Sequence, residues 1–113
     1  DVNRHGDGIH TFSLVRTESV SRGALGVFVQ MLADQKGDDL LRLKGLVLLT
    51  DDLDRPAVVH GVQHVIHPVR RLDAWPDGMA ETHLVLIVRN IERRWVQELW
   101  DRVIGSAYAD LVV

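Results

Sequence analysis

Cysteine is absent from this 113-residue chain, and so is any long apolar run. Without cysteine there is no disulfide, no thiolate metal site and no cysteine nucleophile, a composition that suits a cytoplasmic protein. The apolar runs are far shorter than the ~18 residues that a membrane-spanning helix needs, and the first residues do not resemble a signal peptide. We therefore expect a cytoplasmic protein that does not enter a membrane.

Catalytic motifs are also missing from the sequence. There is no glycine-rich phosphate loop of the G-x-x-x-x-G-K-[ST] type, no H-E-x-x-H and no G-x-S-x-G. A net charge of -3 and an isoelectric point near 6.0 argue against binding to nucleic acid or to acidic membranes, which select for a concentrated positive field. The sequence predicts no catalytic residue and no cofactor-binding residue.

The composition is that of a folded domain. With 46% hydrophobic and 26% charged residues in 113, the chain suffices for one domain, residues 1–113, that buries roughly two-thirds of its unfolded surface. The chain begins at Asp1 without a methionine, and its opening residues are polar. We expect residues 1–7 to be the remnant of a linker in a longer protein.

The stretch at residues 38–50 holds an apolar run of four residues, 46–49, and predicts a central strand. Residues 46–49 are apolar on both faces, which a strand tolerates when both faces are covered. Arg42 and Lys44 alternate with leucines and should point the same way. Gly45 beside them indicates a bulge or a close backbone approach.

The remaining segments predict the fold class. Residues 9–16 alternate as a strand whose core face carries Phe12 and Leu14. The other predicted elements are a helix from Ser19 or Ser21 to Gly37, strands at 57–67 and 82–89, and a helix from Asn90 to Gly105. This order predicts an α+β fold: a single two-layer domain of about four mainly antiparallel strands with helices packed on one face. It leaves ferredoxin-like connectivity open.

Histidine is the main chemical signal in the sequence, and the metal candidates are His10, His60, His64 and His83. On one strand His60 and His64 share a face but lie ~13 Å apart, too far for two ligands of one zinc ion. His67 should face the other way. A site would need His10 or His83 from neighbouring strands, so a partly solvated sheet face is the favoured interpretation and no firm metal site is predicted.

Two further groups have a structural and a functional interpretation. Asp51, Asp52 and Asp54 precede Pro56. Their oxygens suit Ca²⁺ or Mg²⁺, but a hairpin turn also selects aspartate for its backbone hydrogen bonds, and we favour the turn. Trp75 lies in a polar loop and is a candidate contact residue.

Several segments together resemble the C-terminal domain of CobW-family P-loop GTPases. The segments are HGDGI at 5–9, DLLRLKG at 39–45, VHGVQ at 59–63, WPD at 75–77 and LVLIVR at 84–89 followed by a helix. The resemblance extends from about His5 to Ile104, and the Leu-Arg-x-Lys-Gly segment is its most specific part. This sequence lacks the His-rich tail or loop of some members.

The resemblance implies a regulatory and interaction domain of a cytoplasmic GTP-binding metallochaperone, in cobalamin biosynthesis or zinc homeostasis. GTP, Mg²⁺ and a zinc or cobalt cargo would then belong to an N-terminal GTPase domain, the first partner, with a client metalloprotein as a second. Arg42, Lys44, Gln63 and Trp75 are the expected contact residues. The alternative is an independent His-based metal- or small-molecule-binding α+β module.

Overall fold

The computed structural model describes residues 8–112, and it describes side chains for residues 8–105. The elements in chain order are β1 Ile9–Arg16, α1 Arg22–Lys36, a 3-10 turn Gly37–Asp39, β2 Leu40–Val47, β3 Ala57–Val62, β4 Val65–Ile66, β5 Arg70–Arg71, β6 Thr82–Arg89 and α2 Arg93–Val112. No helix in this described part of the chain is long and apolar enough to cross a membrane. The predicted linker, residues 1–7, lies outside the described residues.

The strands form one antiparallel sheet in the order β1-β6-β2-β3-β4, and β5 pairs with β3 beside β4. Strand β6 pairs over its whole length with β1, from Ile9↔Arg89 to Arg16↔Thr82, and it pairs with β2 on its other side. The predicted α+β fold is confirmed, with two short strands added to the four long ones. Ferredoxin-like connectivity is not adopted, because the second helix follows the last strand.

The hydrophobic core lies between the sheet and the two helices. Phe12 and Leu14 of β1 are buried there with alternate residues of β6, β2 and β3, so the predicted core face of β1 is confirmed. Phe28 of α1 meets Trp100 of α2 edge to face, with ring centroids 4.9 Å apart. Burial of each such side chain stabilises the fold by roughly 1.5–3 kcal/mol, which fixes both helices on this one face.

Helix α1 begins and ends as the sequence predicts. The hydroxyl of Ser21 accepts a hydrogen bond from the backbone N–H of Ala24 at 3.0 Å, which satisfies one of the unpaired donors of the first turn. The helix ends at Lys36, and Gly37 opens the 3-10 turn. A Cβ at Gly37 would lie 2.4 Å from the His64 ring, so a larger residue there would displace that ring.

Helix α2 differs from the prediction at both ends. It begins at Arg93, and Asn90 does not cap it. Asn90 has a left-handed φ of 55°, and its backbone N–H donates to the carbonyl of Gly8 at 3.1 Å, so it ends β6. The helix continues past Gly105 to Val112, because one glycine in a helix interior costs only about 1 kcal/mol.

The apolar run at residues 46–49 is not a strand covered on both faces. Strand β2 ends at Val47, and Leu46 is half-buried on the face without helices. Leu48 and Leu49 leave the sheet and are buried beside Val20, whose N–H donates to the carbonyl of Leu48 at 3.0 Å. A buried crossing of two loops has the same apolar pattern as a buried strand.

Gly45 marks a close backbone approach, one of the two predicted alternatives. A Cβ there would lie 2.1 Å from the carbonyl oxygen of His83 on β6. The register irregularity of β2 lies elsewhere, between Leu40 and Arg42. Glycine at position 45 therefore lets the two central strands pair closely.

We predict that Gly45→Ala lowers the free energy of unfolding by about 1–3 kcal/mol, because backbone atoms of β6 must move to admit the methyl group. Gly26→Ala is the matched control: position 26 is exposed in α1 with no atom near an added Cβ, so it should raise that free energy by about 0.5–1 kcal/mol. Urea unfolding of both variants measures the difference. Equal effects would contradict the proposed close approach.

Candidate functional site

The sheet face opposite the helices is the candidate site, and we call it the open face. It consists of the odd-numbered residues of β1 and β6, residues 42, 44 and 46 of β2, residues 58, 60 and 62 of β3, Val65 of β4, and His67 and Arg70. All of these residues are half-buried or exposed. The alternation of the strands that buries one set of side chains therefore leaves the other set available.

Arg42 and Lys44 lie at the centre of the open face, as the sequence predicts. Lys44 is flanked by His60 on β3 and Val85 on β6, and Arg42 is paired with Ile87. Both cations are exposed. Neither forms an ion pair within the described residues.

His60 has a neighbour that the sequence prediction missed. Residues 57–67 are not one strand, because the chain turns after Val62 and returns as β4. This turn places His67 opposite His60 on the same face, with the His67 N–H donating to the His60 carbonyl at 2.9 Å. Their rings stack with centroids 4.8 Å apart. The prediction that His67 faces the other way is wrong.

Partial burial of His60, followed by the positive charges of His67, Arg42 and Lys44, lowers the pKa of its imidazole. The imidazole of His60 is therefore mostly neutral at pH 7 and contributes little to the positive charge of the open face.

The hairpin tip holds Gln63 and His64. Gln63 has a left-handed φ of 53°, and its N–H donates to the carbonyl of Leu40 at 2.7 Å. Nε2 of His64 lies 2.7 Å from a carboxylate oxygen of Asp38. His64 therefore does not share a face with His60 but joins the tip to the turn after α1, and Gln63 lies at the start of β2, beyond Arg42 and Lys44.

The other two histidine candidates are separated from this cluster. His10 lies on the helix side of β1, with its ring centroid 5.8 Å from that of Phe12. His83 is on the open face, but its Nε2 lies 3.2 Å from the hydroxyl of Ser13, and β2 separates it from His60. The four candidates do not converge, and the described residues contain no group of three or more potential metal ligands.

The aspartate loop after β2 forms hydrogen bonds within the domain. Asp51 accepts from Arg71 at 2.8 Å and from Arg22 at 2.9 Å, and the hydrogen bond from Arg71 is the main cause that lowers the pKa of this carboxyl. Asp52 accepts from the N–H of Asp54 at 3.2 Å, as in a turn. These contacts support the turn interpretation over a Ca²⁺ or Mg²⁺ site.

Trp75 is close to this loop. Its indole N–H donates to the carbonyl of Leu53 at 2.8 Å, which holds the loop after β5 against the loop after β2. Since Gln63 lies at the opposite end of β2, the four predicted contact residues do not form one cluster. Only Arg42 and Lys44 lie together.

A groove of about 940 Å³ lies between the start of α1 and the middle of α2. Val20, Ala24, Trp100 and Ile104 are among its apolar walls, and the Arg16–Asp101 ion pair lies at its edge. None of the histidines among the described residues lines it. A His-based small-molecule site is therefore not formed here.

Comparison with known proteins now adds to this geometry. A family model described as "Cobalamin synthesis protein cobW C-terminal domain" matches residues 9–104. The chain belongs to this family. The sequence-based resemblance is thereby confirmed, and the match spans every long strand of the CobW C-terminal domain.

Solved structures show the same fold. Zn(II)-bound YjiA GTPase from E. coli superposes with a TM-score of 0.75 at 17% identity, over 85% of this chain and 30% of that one. A zinc-bound triple mutant of YjiA GTPase gives the same values. Comparison with curated proteins gives no match. The CobW C-terminal domain thus spans less than a third of the YjiA chain.

We predict that His60 in this CobW C-terminal domain titrates below the ordinary value of 6.5, and that Lys44→Met raises its pKa by removing a positive charge. The pKa of His60 is higher in the unfolded chain than in the folded one, so on acidification the unfolded chain binds the proton first. The free energy of unfolding should therefore fall as the pH drops from about 6.5 through the pKa of the folded state. In the His60→Gln variant, the free energy of unfolding should depend less on pH over this range. NMR titration of the ring and urea unfolding at several pH values measure both effects; a His60 midpoint at or above 6.5 would contradict the prediction.

Proposed function

We propose that this chain is a regulatory and interaction domain of a GTP-binding metallochaperone that acts in cobalamin biosynthesis or zinc homeostasis. The observation that carries the proposal is the family match over residues 9–104. The matched structure is that of a GTPase, and this chain covers 30% of it, so the nucleotide machinery would belong to the part of such a protein that this chain does not share. The domain would act through contacts rather than chemistry.

The residues of the domain support this division of labour. Gly23 and Gly26 lie within α1 and form no phosphate-binding loop. GTP and Mg²⁺ would therefore be bound by an N-terminal GTPase domain, with zinc or cobalt as the cargo. That domain is the expected first partner, and a client metalloprotein is the second.

Arg42 and Lys44 are the proposed point of contact with the GTPase domain. Both are exposed and have no ion-pair partner among the described residues. A domain that senses bound nucleotide must make contacts that differ between nucleotide states, and two fixed cations can pair with carboxylates in one state more than in the other. The contact would then couple the state of the GTPase domain to this one.

We predict that Lys44→Glu leaves the 113-residue chain folded, with a stability change within about 0.5 kcal/mol, as for surface substitutions generally. In the full-length protein the same change should alter GTP turnover or its response to metal, because it removes the differential contact. Steady-state GTP hydrolysis with and without Zn²⁺ or Co²⁺ measures this.

Arg94→Glu is the control, since Arg94 lies on α2, away from the open face, and pairs with Glu98 one turn away. Calorimetry with the 113-residue chain should show no GTP binding. Wild-type kinetics in full-length Lys44→Glu would refute the role of Lys44, and micromolar GTP binding by the 113-residue chain would refute the division of labour.

The alternative, an independent His-based metal- or small-molecule-binding module, has one observation in its favour. The rings of His60 on β3 and His67, directly after β4, stack and are exposed to solvent in part. A structural zinc site needs four protein ligands, and these two imidazoles lie beside Arg42 and Lys44, whose charges oppose a cation. The pair therefore favours weak binding.

We predict that stoichiometric Zn²⁺ leaves the Tm of the 113-residue chain unchanged, because two ligands do not form a structural site. Differential scanning fluorimetry with and without a chelator measures this. A large rise in Tm that a chelator reverses would favour the alternative module instead. That rise should be lost in His60→Ala and kept in His83→Ala.

A further inference from the structure

The open face concentrates positive charge on an acidic chain. The sequence has 13 Lys and Arg against 16 Asp and Glu. Four of these cations, Arg42, Lys44, Arg70 and Arg89, lie on the open face, whereas none of the six strands contains an acidic residue. Within residues 8–112, the charged residues of the strands are therefore all cations, and the acidic residues lie in helices and loops.

The four cations also lack partners within the part of the chain that the structure describes. Five arginines form ion pairs, namely Arg16, Arg22, Arg55, Arg71 and Arg94, and none of them is on the open face. No described carboxylate pairs with the open-face cations. These cations are therefore available to carboxylates of another surface.

Apolar side chains separate the cations. Val15, Val62 and Val85 are 42%, 42% and 37% exposed, and Leu46 and Ile87 are half-buried. Protein interfaces combine apolar side chains with a polar rim, and arginine is enriched in them. The open face has no aromatic side chain beyond its histidines on which bases would stack, so the pattern favours a protein over a nucleic acid.

The size of the open face points to a partner in the same polypeptide. Four strands ~4.8 Å apart and about seven residues long cover roughly 15 Å by 23 Å, a projected area of ~350 Å². Stable interfaces between separate proteins bury about 800 Å² per partner. A covalent tether compensates for a smaller area by raising the effective concentration to the millimolar range.

We propose that the open face docks on a carboxylate-bearing surface of the GTPase domain of the same protein, an inference that rests on the proposed function. Acidic side chains of that surface would pair with Arg42, Lys44, Arg70 and Arg89, and an apolar patch would cover Val85 and Leu46. Salt would weaken the charged part of this contact. The helices would face away from the GTPase domain.

The two lysines of the chain provide the test. Lys44 is exposed on the open face, whereas Lys36 ends α1 and its ammonium lies 5.0 Å from the centre of the Trp95 ring. Acylation of both amines is followed by mass spectrometry in the full-length protein and in the 113-residue chain. If docking holds the face closed about nine-tenths of the time, Lys44 should label about tenfold more slowly in the full-length protein, and Lys36 should label equally in both.

A second measurement uses the full-length protein alone. Arg42→Glu with Arg89→Glu should make Lys44 label faster, because the reversed charges repel the acidic surface. A new carboxylate beside the Lys44 ammonium by itself slows acylation. Faster labelling of Lys44 in this variant therefore indicates that the open face is no longer docked on the GTPase domain. Arg94→Glu with Arg102→Glu on α2 is the matched control and should leave both lysines unchanged.

Each result decides the proposal. Equal labelling of Lys44 in the full-length protein and the 113-residue chain would overturn it, and so would protection that nuclease treatment removes. A carbodiimide crosslink from Lys44 to an Asp or Glu of the GTPase domain would support it, and a crosslink to a separate protein would overturn it. Protection of Lys44 with unaltered GTP turnover in Lys44→Glu would support the docking and refute only the regulatory role.

Discussion

Coverage of the sheet on one face is the constraint from which the other properties of this domain follow. Phe28 and Trp100 meet over the helix side and, with the alternate residues of four strands, form its single core cluster. Each strand must therefore present apolar residues on one side and solvent-compatible residues on the other. The cations at positions 42 and 44 satisfy this requirement, and they also give the domain a surface with a chemistry unlike that of its loops.

The loops are stabilised by the opposite charge. Asp51 binds two guanidinium groups and Asp38 contacts the imidazole of His64, so acidic side chains hold the ends of the strands in place. Arg71, whose side chain is only 14% exposed, donates to Asp51 and to two backbone carbonyls. The acids of these loops are thus used within the domain, while the cations of the open face remain available to a second surface.

Sequence periodicity predicted the elements that alternate or that carry a cap. Strands β1 and β6 and the Ser21 cap were predictable, because the pattern and the geometry are local. The turn after Val62 was not, since Gln63 adopts a left-handed φ that sequence patterns assign to glycine or asparagine. That one turn decides the position of His67, so the stacked histidine pair was missed with it. The burial of Leu48 and Leu49 depends on Val20, a contact that no local pattern contains.

The position of β6 between β1 and β2 has a consequence for synthesis on the ribosome. Of the described strands β1 emerges first, yet it lies at the edge of the sheet and pairs with the last of them, β6. The β2–β3 hairpin can form early, but β1 has no strand to pair with until Arg89 has left the exit tunnel. Such non-local pairing slows folding and exposes strand edges to other chains in the meantime. The nascent domain therefore depends on its final third to protect its first strand from aggregation.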